Sequence, residues 1–524
     1  MSIRRRPELV AAALLTVWAA VPLVLIAALW REGGVLAGSD GALAGADQLF
    51  YLSVARESGE HVLFGDRFDL GPVDRVGLSP VYLLSGLLGQ LGLDLRAAVW
   101  LWKPVAALTL VGGFAAYVRR FDDLGRAGAL AALVLSLAYF APVLPVLDWT
   151  GALDEWRSFL GLLVAGELMP AWQLWGYLHA AVALGLMALA AVAAERAAGG
   201  DRRAAAAAAA AGALVALLHP WQGLTLALVL AGALAWQAAT RRTPSPGPGG
   251  TPSPGGWAAG LFVPLAAIGV VLAYLYAVSH SVADWEAFDR QNAAPRFGAG
   301  YLAMAFAPLA AFAALGAART RPDGARERIL LLWPVAAAIV YLAVSNARFH
   351  AFQGMSLPLA ILAVRGWRAL DLPRAAAAVA IAAVTLPGFA YAVDTLRDSV
   401  ALDRSPYVLE PGEARALAHL EDAPGPGGVL APASIGMSVP AHSGRSTWVG
   451  HHAWTPDYAQ RSAQAEALFA NRMAPAQARA LIAALRPRFL LAGCAHRADL
   501  RGLLRPLGAT TRRFGCATVH ELAG

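Results

Sequence analysis

VAAALLTVWAAVPLVLIAALW, residues 10–30, carries no charge over 21 positions. A hydrocarbon core about 30 Å thick takes about 20 apolar residues of helix. Backbone groups in lipid must also be satisfied within the segment, so the stretch reads as a spanning helix. It is too long for the apolar region of a cleaved signal, and Arg31-Glu32-Gly33-Gly34 offers no small-residue cleavage site after it. Arg4, Arg5 and Arg6 precede it, which places the N-terminus on the cytoplasmic side.

The same reading extends along the chain. Of 524 residues, 58% are hydrophobic and 15% charged, against about 25% charged in a soluble domain. Mean hydropathy is +0.53. Apolar runs alternate with short arginine-rich connections at 119–126, 196–203, 241–242, 319–328 and 365–374. Alternating sides between these clusters gives eleven spans, within a range of ten to thirteen: 8–30, 97–117, 127–147, 171–194, 204–219, 221–239, 257–279, 300–318, 329–345, 351–366 and 374–396. The fold class is a polytopic α-helical membrane protein with a C-terminal extracytoplasmic α/β domain. The net charge of +7 belongs to this topology and not to nucleic acid binding. The Ala- and Arg-rich, Lys-poor usage fits a bacterial cytoplasmic membrane.

Residues 1–397 form the membrane domain. Its outer loop covers 31–79, and a Pro/Gly-rich cytoplasmic linker covers 241–256. The apolar stretch 80–93 is short. Counting it as a span would reverse every later arginine cluster, so it lies along the outer interface or dips in and returns. Residues 398–524 form the soluble domain, with helices at 412–423, 476–485 and 498–507 and strands at 428–432, 445–450, 488–492 and 510–519. The two cysteines, Cys494 and Cys516, both fall here. An oxidising compartment permits a disulfide between them; two buried free thiols are the alternative.

Polar residues gather on the outer side. The first loop holds Asp40, Asp47 and Tyr51, the last two sharing a helical face at a spacing of four. The second outer loop holds Asp148 and Asp154. Two turns add His219 and the Arg348–His350 segment. Ionisable groups at membrane depth point to function by default. His451 and His452 suggest a metal, but adjacent loop histidines are mostly not ligands. There is no Walker lysine, since Lys103 is the only lysine and follows Trp102. No Gly-rich nucleotide fingerprint or nucleophile elbow stands out. An outer site without nucleotide machinery suits a lipid-linked substrate.

An apolar first helix, an outer loop with an early Asp near a Tyr-Leu pair, and a Pro-led apolar segment ending in Leu91-Gly92-Leu93 together resemble the multi-spanning glycosyltransferases of the GT-C fold. That group includes the protein O-mannosyltransferases and the lipid A aminoarabinose transferases. The segments around Trp448 and Phe489 are similar to outer domains of bacterial members.

The resemblance implies a polyprenyl-phosphate-sugar donor, membrane lipids around it, and a lipid, glycan or protein acceptor. It casts Asp47 as the acidic residue that orients or deprotonates the acceptor, or holds a divalent metal (Mg or Mn). Asp148 or Asp154 would supply a second carboxylate. Arg348, His219 and His350 would hold the donor phosphate, and Asp40 and Tyr51 would support the acceptor side. Gln48 stands where such enzymes often carry a second acidic residue. The rival readings are a transporter or flippase and a non-catalytic envelope-assembly protein.

Overall fold

The structure is a computed structural model that describes residues 7–29, 34–40, 45–153, 165–240, 254–401, 408–496 and 499–523. The chain is a multi-pass membrane protein built largely of helices. Among the described residues, seven helices are long and apolar enough to cross a bilayer: Glu8–Ala28, Leu95–Val118, Leu178–Ala198, Pro220–Thr240, Gly260–Ser281, Ala299–Arg319 and Arg374–Asp398. The bent pair Asp122–Ala138 and Val143–Trp149 makes an eighth if counted as one.

The remaining expected spans are helical but shorter or more polar. Arg202–Leu218 has 17 residues and Ser356–Arg368 has 13. Ala325–Ala343 opens on Arg326, Glu327 and Arg328. The expected tenth span starts late because 348–355 is turn rather than helix. Helix Pro80–Gln90 has 11 residues, roughly 16 Å of rise, which is too short to cross.

The chain divides into two compact units. One comprises Met1–Ala20, Lys103–Tyr276 and Ala293–Asp394. Small residues let its helices approach closely, as expected where lipid removes any hydrophobic drive between them. A Cβ on Gly316 would overlap the Leu362 carbonyl, and one on Gly366 would overlap that of Phe312. Helices Ala299–Arg319 and Ser356–Arg368 therefore meet backbone to backbone.

The other unit comprises Val21–Trp102, Ala277–Asn292 and Thr395–Gly524. The first loop, a short connection between spans and the C-terminal domain thus fold as one body. Its larger sheet has four strands, in the spatial order Val429–Leu430, Phe489–Ala492, Ala517–Glu521 and Thr510–Phe514. Strands β3 (Val429–Leu430) and β4 (Phe489–Ala492) are parallel; β6 (Ala517–Glu521) runs antiparallel to both β4 and β5 (Thr510–Phe514).

Two strand expectations change. The stretch 445–450 makes only a bridge between Thr447 and Val429: Thr447 N donates to the Arg67 carbonyl, and the Arg445 guanidinium is drawn to the carbonyls of Leu420 and Gly425. The stretch 510–519 is a hairpin, broken where Gly515 takes φ +68°, a conformation glycine adopts without penalty. Cys494 and Cys516 form a disulfide with Cα atoms 4.8 Å apart, joining the end of β4 to that hairpin turn.

The loop from the first span is sewn into this unit. Strand β1 (Val35–Leu36) pairs with β2 (Val408–Leu409). Helix Gly45–His61 follows and packs on Pro80–Gln90. At their crossing a Cβ on Gly86 would overlap the Ala55 carbonyl and lie 2.6 Å from the Gly59 nitrogen. Gly86→Val is therefore expected to push the helices apart and destabilise this unit by about 1–3 kcal/mol, the usual cost of overpacking. Protease resistance of detergent-solubilised protein measures it; an unchanged melting midpoint would count against this crossing.

Candidate active site

Asp47 lies in the first turn of helix Gly45–His61, where the helix N-terminus favours a carboxylate. Its Oδ1 accepts a hydrogen bond from His451 Nε2 at 2.8 Å. The Asp47 side chain keeps 27% exposure, against 3% for His451. On the next turn Tyr51 stacks on Tyr82 at 5.0 Å. Burial pushes the Tyr82 phenol well above its usual pKa, and the nearby charges of Asp47 and Asp40 add to this.

Asp40 is 2% exposed. Its segment is held through backbone carbonyls: Arg96 Nη1 donates to Leu36 O at 2.7 Å, and Trp100 Nε1 to Ser39 O at 2.8 Å. His442 Nε2 lies 2.7 Å from Ala37 O.

Two further features shape this cluster. Phe50, one turn from Asp47, stacks on Trp454 at 4.6 Å. Trp454 in turn stacks on Phe288 at 4.3 Å. Burial raises the Asp66 carboxyl well above the usual range, and Asp284 and Asp69 push it the same way.

His442 gives this unit a pH dependence. Burial, with Arg96 and Arg56 near, lowers its pKa to about 4, against the bonding of Ala37 and the charge of Glu421. The unfolded chain binds a proton near pH 6.5, whereas the folded one resists until about 4. Stability is therefore full above pH 6.5 and is lost as pH falls through that window, by up to about 3 kcal/mol for this site. Hydrogen-exchange protection in the 35–40 segment, taken relative to the intrinsic rate at each pH, should fall between pH 7 and 4.5, and His442→Gln should flatten the dependence. An identical slope in that variant would contradict the assignment.

The other unit carries a second polar cluster. His219 caps helix Arg202–Leu218 just before Pro220 starts the next helix. Its ring lies 5.4 Å from that of His350, edge to face, and 6.2 Å from that of His179, stacked. Glu167 Oε1 lies 3.4 Å from His350 Nδ1. Gln222 Nε2 donates to the His350 carbonyl at 2.9 Å. Glu167 is 7% exposed and His219 6%.

Arg348 turns its guanidinium to backbone, with Nε donating to Tyr341 O at 3.3 Å and Nη1 to Ala294 O. Asp148 accepts from the Tyr391 hydroxyl at 2.8 Å. Asp154 lies outside the described residues. Within the units, then, the structure joins Asp47 to His451 and His219 to His350, and it gives Arg348 and Asp148 local partners.

A divalent cation at Asp47 would need more ligands than His451 provides. Among the described residues, the carboxylates and histidines whose ligand atoms converge are Glu57, Glu60 and His61. Glu57 is already engaged by Arg67 and Arg75.

No family model matches the chain, and no curated protein matches it. Solved structures do. An oligosaccharyltransferase from Archaeoglobus fulgidus in the apo form superposes with a TM-score of 0.52 at 12% identity, over 95% of this chain and 71% of its own. The chain has a GT-C fold. The same Archaeoglobus enzyme in complex with Zn and sulfate gives a TM-score of 0.51 at 15% identity, over 94% and 68%. ArnT from Cupriavidus metallidurans bound to undecaprenyl phosphate covers 97% of this chain and 98% of its own, with a TM-score of 0.49 at 14% identity. A GT-C fold at such identities fixes architecture, and the chemistry must be argued from the residues.

Sequence reasoning passed over two residues of these clusters. His451 was set aside as one of two adjacent loop histidines. Its partner lies 404 residues away, and no local pattern reports such a pairing. Glu167 follows a stretch of Leu, Val, Ala and Gly and resembles a lone loop carboxylate. Its one signal was an acidic residue close to an apolar run, which is costly without a partner.

Proposed function

We propose that the protein is a glycosyltransferase that moves a sugar from a polyprenyl-phosphate donor to an acceptor hydroxyl at the outer face of the membrane, with inversion. The carrying observation is Asp47 on a helix N-terminus with one oxygen fixed by His451, in a chain of GT-C fold. The arginine pattern supports the orientation, because it assigns the segments of that unit to the outer side. The proposal extends to the Archaeoglobus enzyme's kind of chemistry, since one of its structures holds a tethered acceptor peptide.

In this reading Asp47 takes the proton of the acceptor hydroxyl as its oxygen attacks the anomeric carbon. The bond from that carbon to the phosphate oxygen breaks, and polyprenyl phosphate leaves as the anion. His350 and His219 are assigned to that phosphate, with Glu167 standing 3.4 Å from His350 Nδ1. Arg348 stiffens the turn that carries His350 through its two carbonyl bonds. Asp40 and Tyr51 shape the acceptor side.

Release of polyprenyl phosphate tests this reading. Membranes holding the protein should release it from a synthetic polyprenyl-phosphoryl sugar only when acceptor-bearing membranes are added. Movement of the intact donor across acceptor-free proteoliposomes, without release, would favour a flippase instead.

A further inference from the structure

His451 cannot serve as a substrate ligand, because its side chain is 3% exposed. Its two nitrogens are nevertheless both committed. The Ala453 backbone N–H donates to Nδ1 at 3.1 Å. A backbone amide can only donate, so Nδ1 holds the lone pair and the proton sits on Nε2. Nε2–H then points at Asp47 Oδ1 at 2.8 Å.

The loop that presents this ring is itself tied down. Thr455 N donates to the His451 carbonyl at 2.8 Å, and Gly450 N donates to Thr455 Oγ1 at 3.0 Å. Gln291 Nε2 donates to the carbonyls of Ala453 at 3.2 Å and Thr455 at 2.9 Å, while its Oε1 accepts from Tyr458 N at 3.2 Å. Phe50 and Phe68 pack beside the ring at 5.7 and 6.0 Å between centroids.

We propose that His451 is the positioning residue of Asp47, so that the C-terminal domain supplies part of the acid–base apparatus of the transferase. This rests on the base assignment made for Asp47 above. One carboxylate oxygen is pinned by an imidazole of fixed tautomer, and the exposed part of the group is thereby aimed. The loop 450–458, clasped by Gln291, sets where the imidazole stands. A base displaced by about 1 Å can lose about 10²-fold in rate, which gives the loop leverage over the chemistry without touching substrate.

The test uses the full-length protein in membranes and compares His451→Gln, His451→Leu and Asp47→Asn. Glutamine keeps an N–H donor within reach of Asp47; leucine has none. The expected result is a kcat about 10²-fold lower for His451→Leu, a donor KM within twofold of the parent, and a kcat for His451→Gln at least tenfold above that of leucine. A merely structural role would move both variants together and lower the melting midpoint.

His451→Leu at full kcat with Asp47→Asn inactive would overturn the positioning role and leave the base assignment standing. Full activity in both would remove the base assignment, and the positioning role with it. If His451→Leu does not accumulate, His451→Gln decides alone. Activity within tenfold of the parent supports the proposal, and inactivity with a normal melting midpoint overturns it.

Discussion

Asp47→Asn is expected to lower kcat/KM for sugar transfer by about 10³-fold, within the 10²–10⁴ range of a lost general base, while expression and folding stay normal. The substitution is clean for a structural reason. Asparagine keeps an Oδ1 that can accept from His451 Nε2, so the 2.8 Å bond between the domain loop and helix Gly45–His61 survives. What disappears is the negative charge and its ability to take a proton. A loss of activity with an unchanged protease pattern therefore reports on chemistry. Transfer at the parent rate would remove Asp47 from the mechanism.

The second large effect is expected at His350. His350→Phe preserves a ring beside His219, where the centroids lie 5.4 Å apart, but removes both nitrogens. If this imidazole stabilises the departing phosphate, kcat should fall by about 10²–10³-fold, the usual cost of one such donor. Donor KM should rise while acceptor KM holds. Steady-state rates at varied donor and acceptor separate the two. An effect confined to acceptor KM would move His350 away from the phosphate. The companion Glu167 lies 3.4 Å from the same ring, so the variant also leaves a buried carboxylate without that neighbour. A part of any stability loss will come from there.

The membrane class was legible in the sequence because lipid leaves few alternatives. Uncharged stretches such as 10–30 are long enough to span and have to be helical in lipid. The shortness of the apolar stretch 80–93 was visible too, and its helix Pro80–Gln90 has 11 residues. Helix starts in the C-terminal domain also came through, since Pro411 and Pro475 occupy first-turn positions.

Other features were hidden. The hairpin 510–521 looked like one strand because Gly515-Cys516 is a turn of two residues with little sequence weight. That the first loop, residues 277–292 and the C-terminal domain form one unit depends on pairings such as β1 with β2 and Gln291 with Ala453. Such partners carry no mutual signal in a single sequence. Asp47 stands out in the sequence by its place in a loop; its bond to His451 does not. The arginine at 348 drew attention through its charge; the bonds of its Nε and Nη1 to two backbone carbonyls were not visible.

The most direct measurement follows a labelled sugar from a synthetic polyprenyl-phosphoryl donor. Proteoliposomes of the purified full-length protein are mixed with acceptor-bearing membranes, beside an Asp47→Asn control. The expected result is label in the acceptor fraction, an equal amount of polyprenyl phosphate released, inverted configuration at the anomeric carbon, and neither product with the control. Label that crosses the bilayer still attached to its lipid, at equal rates in both proteins, would contradict it.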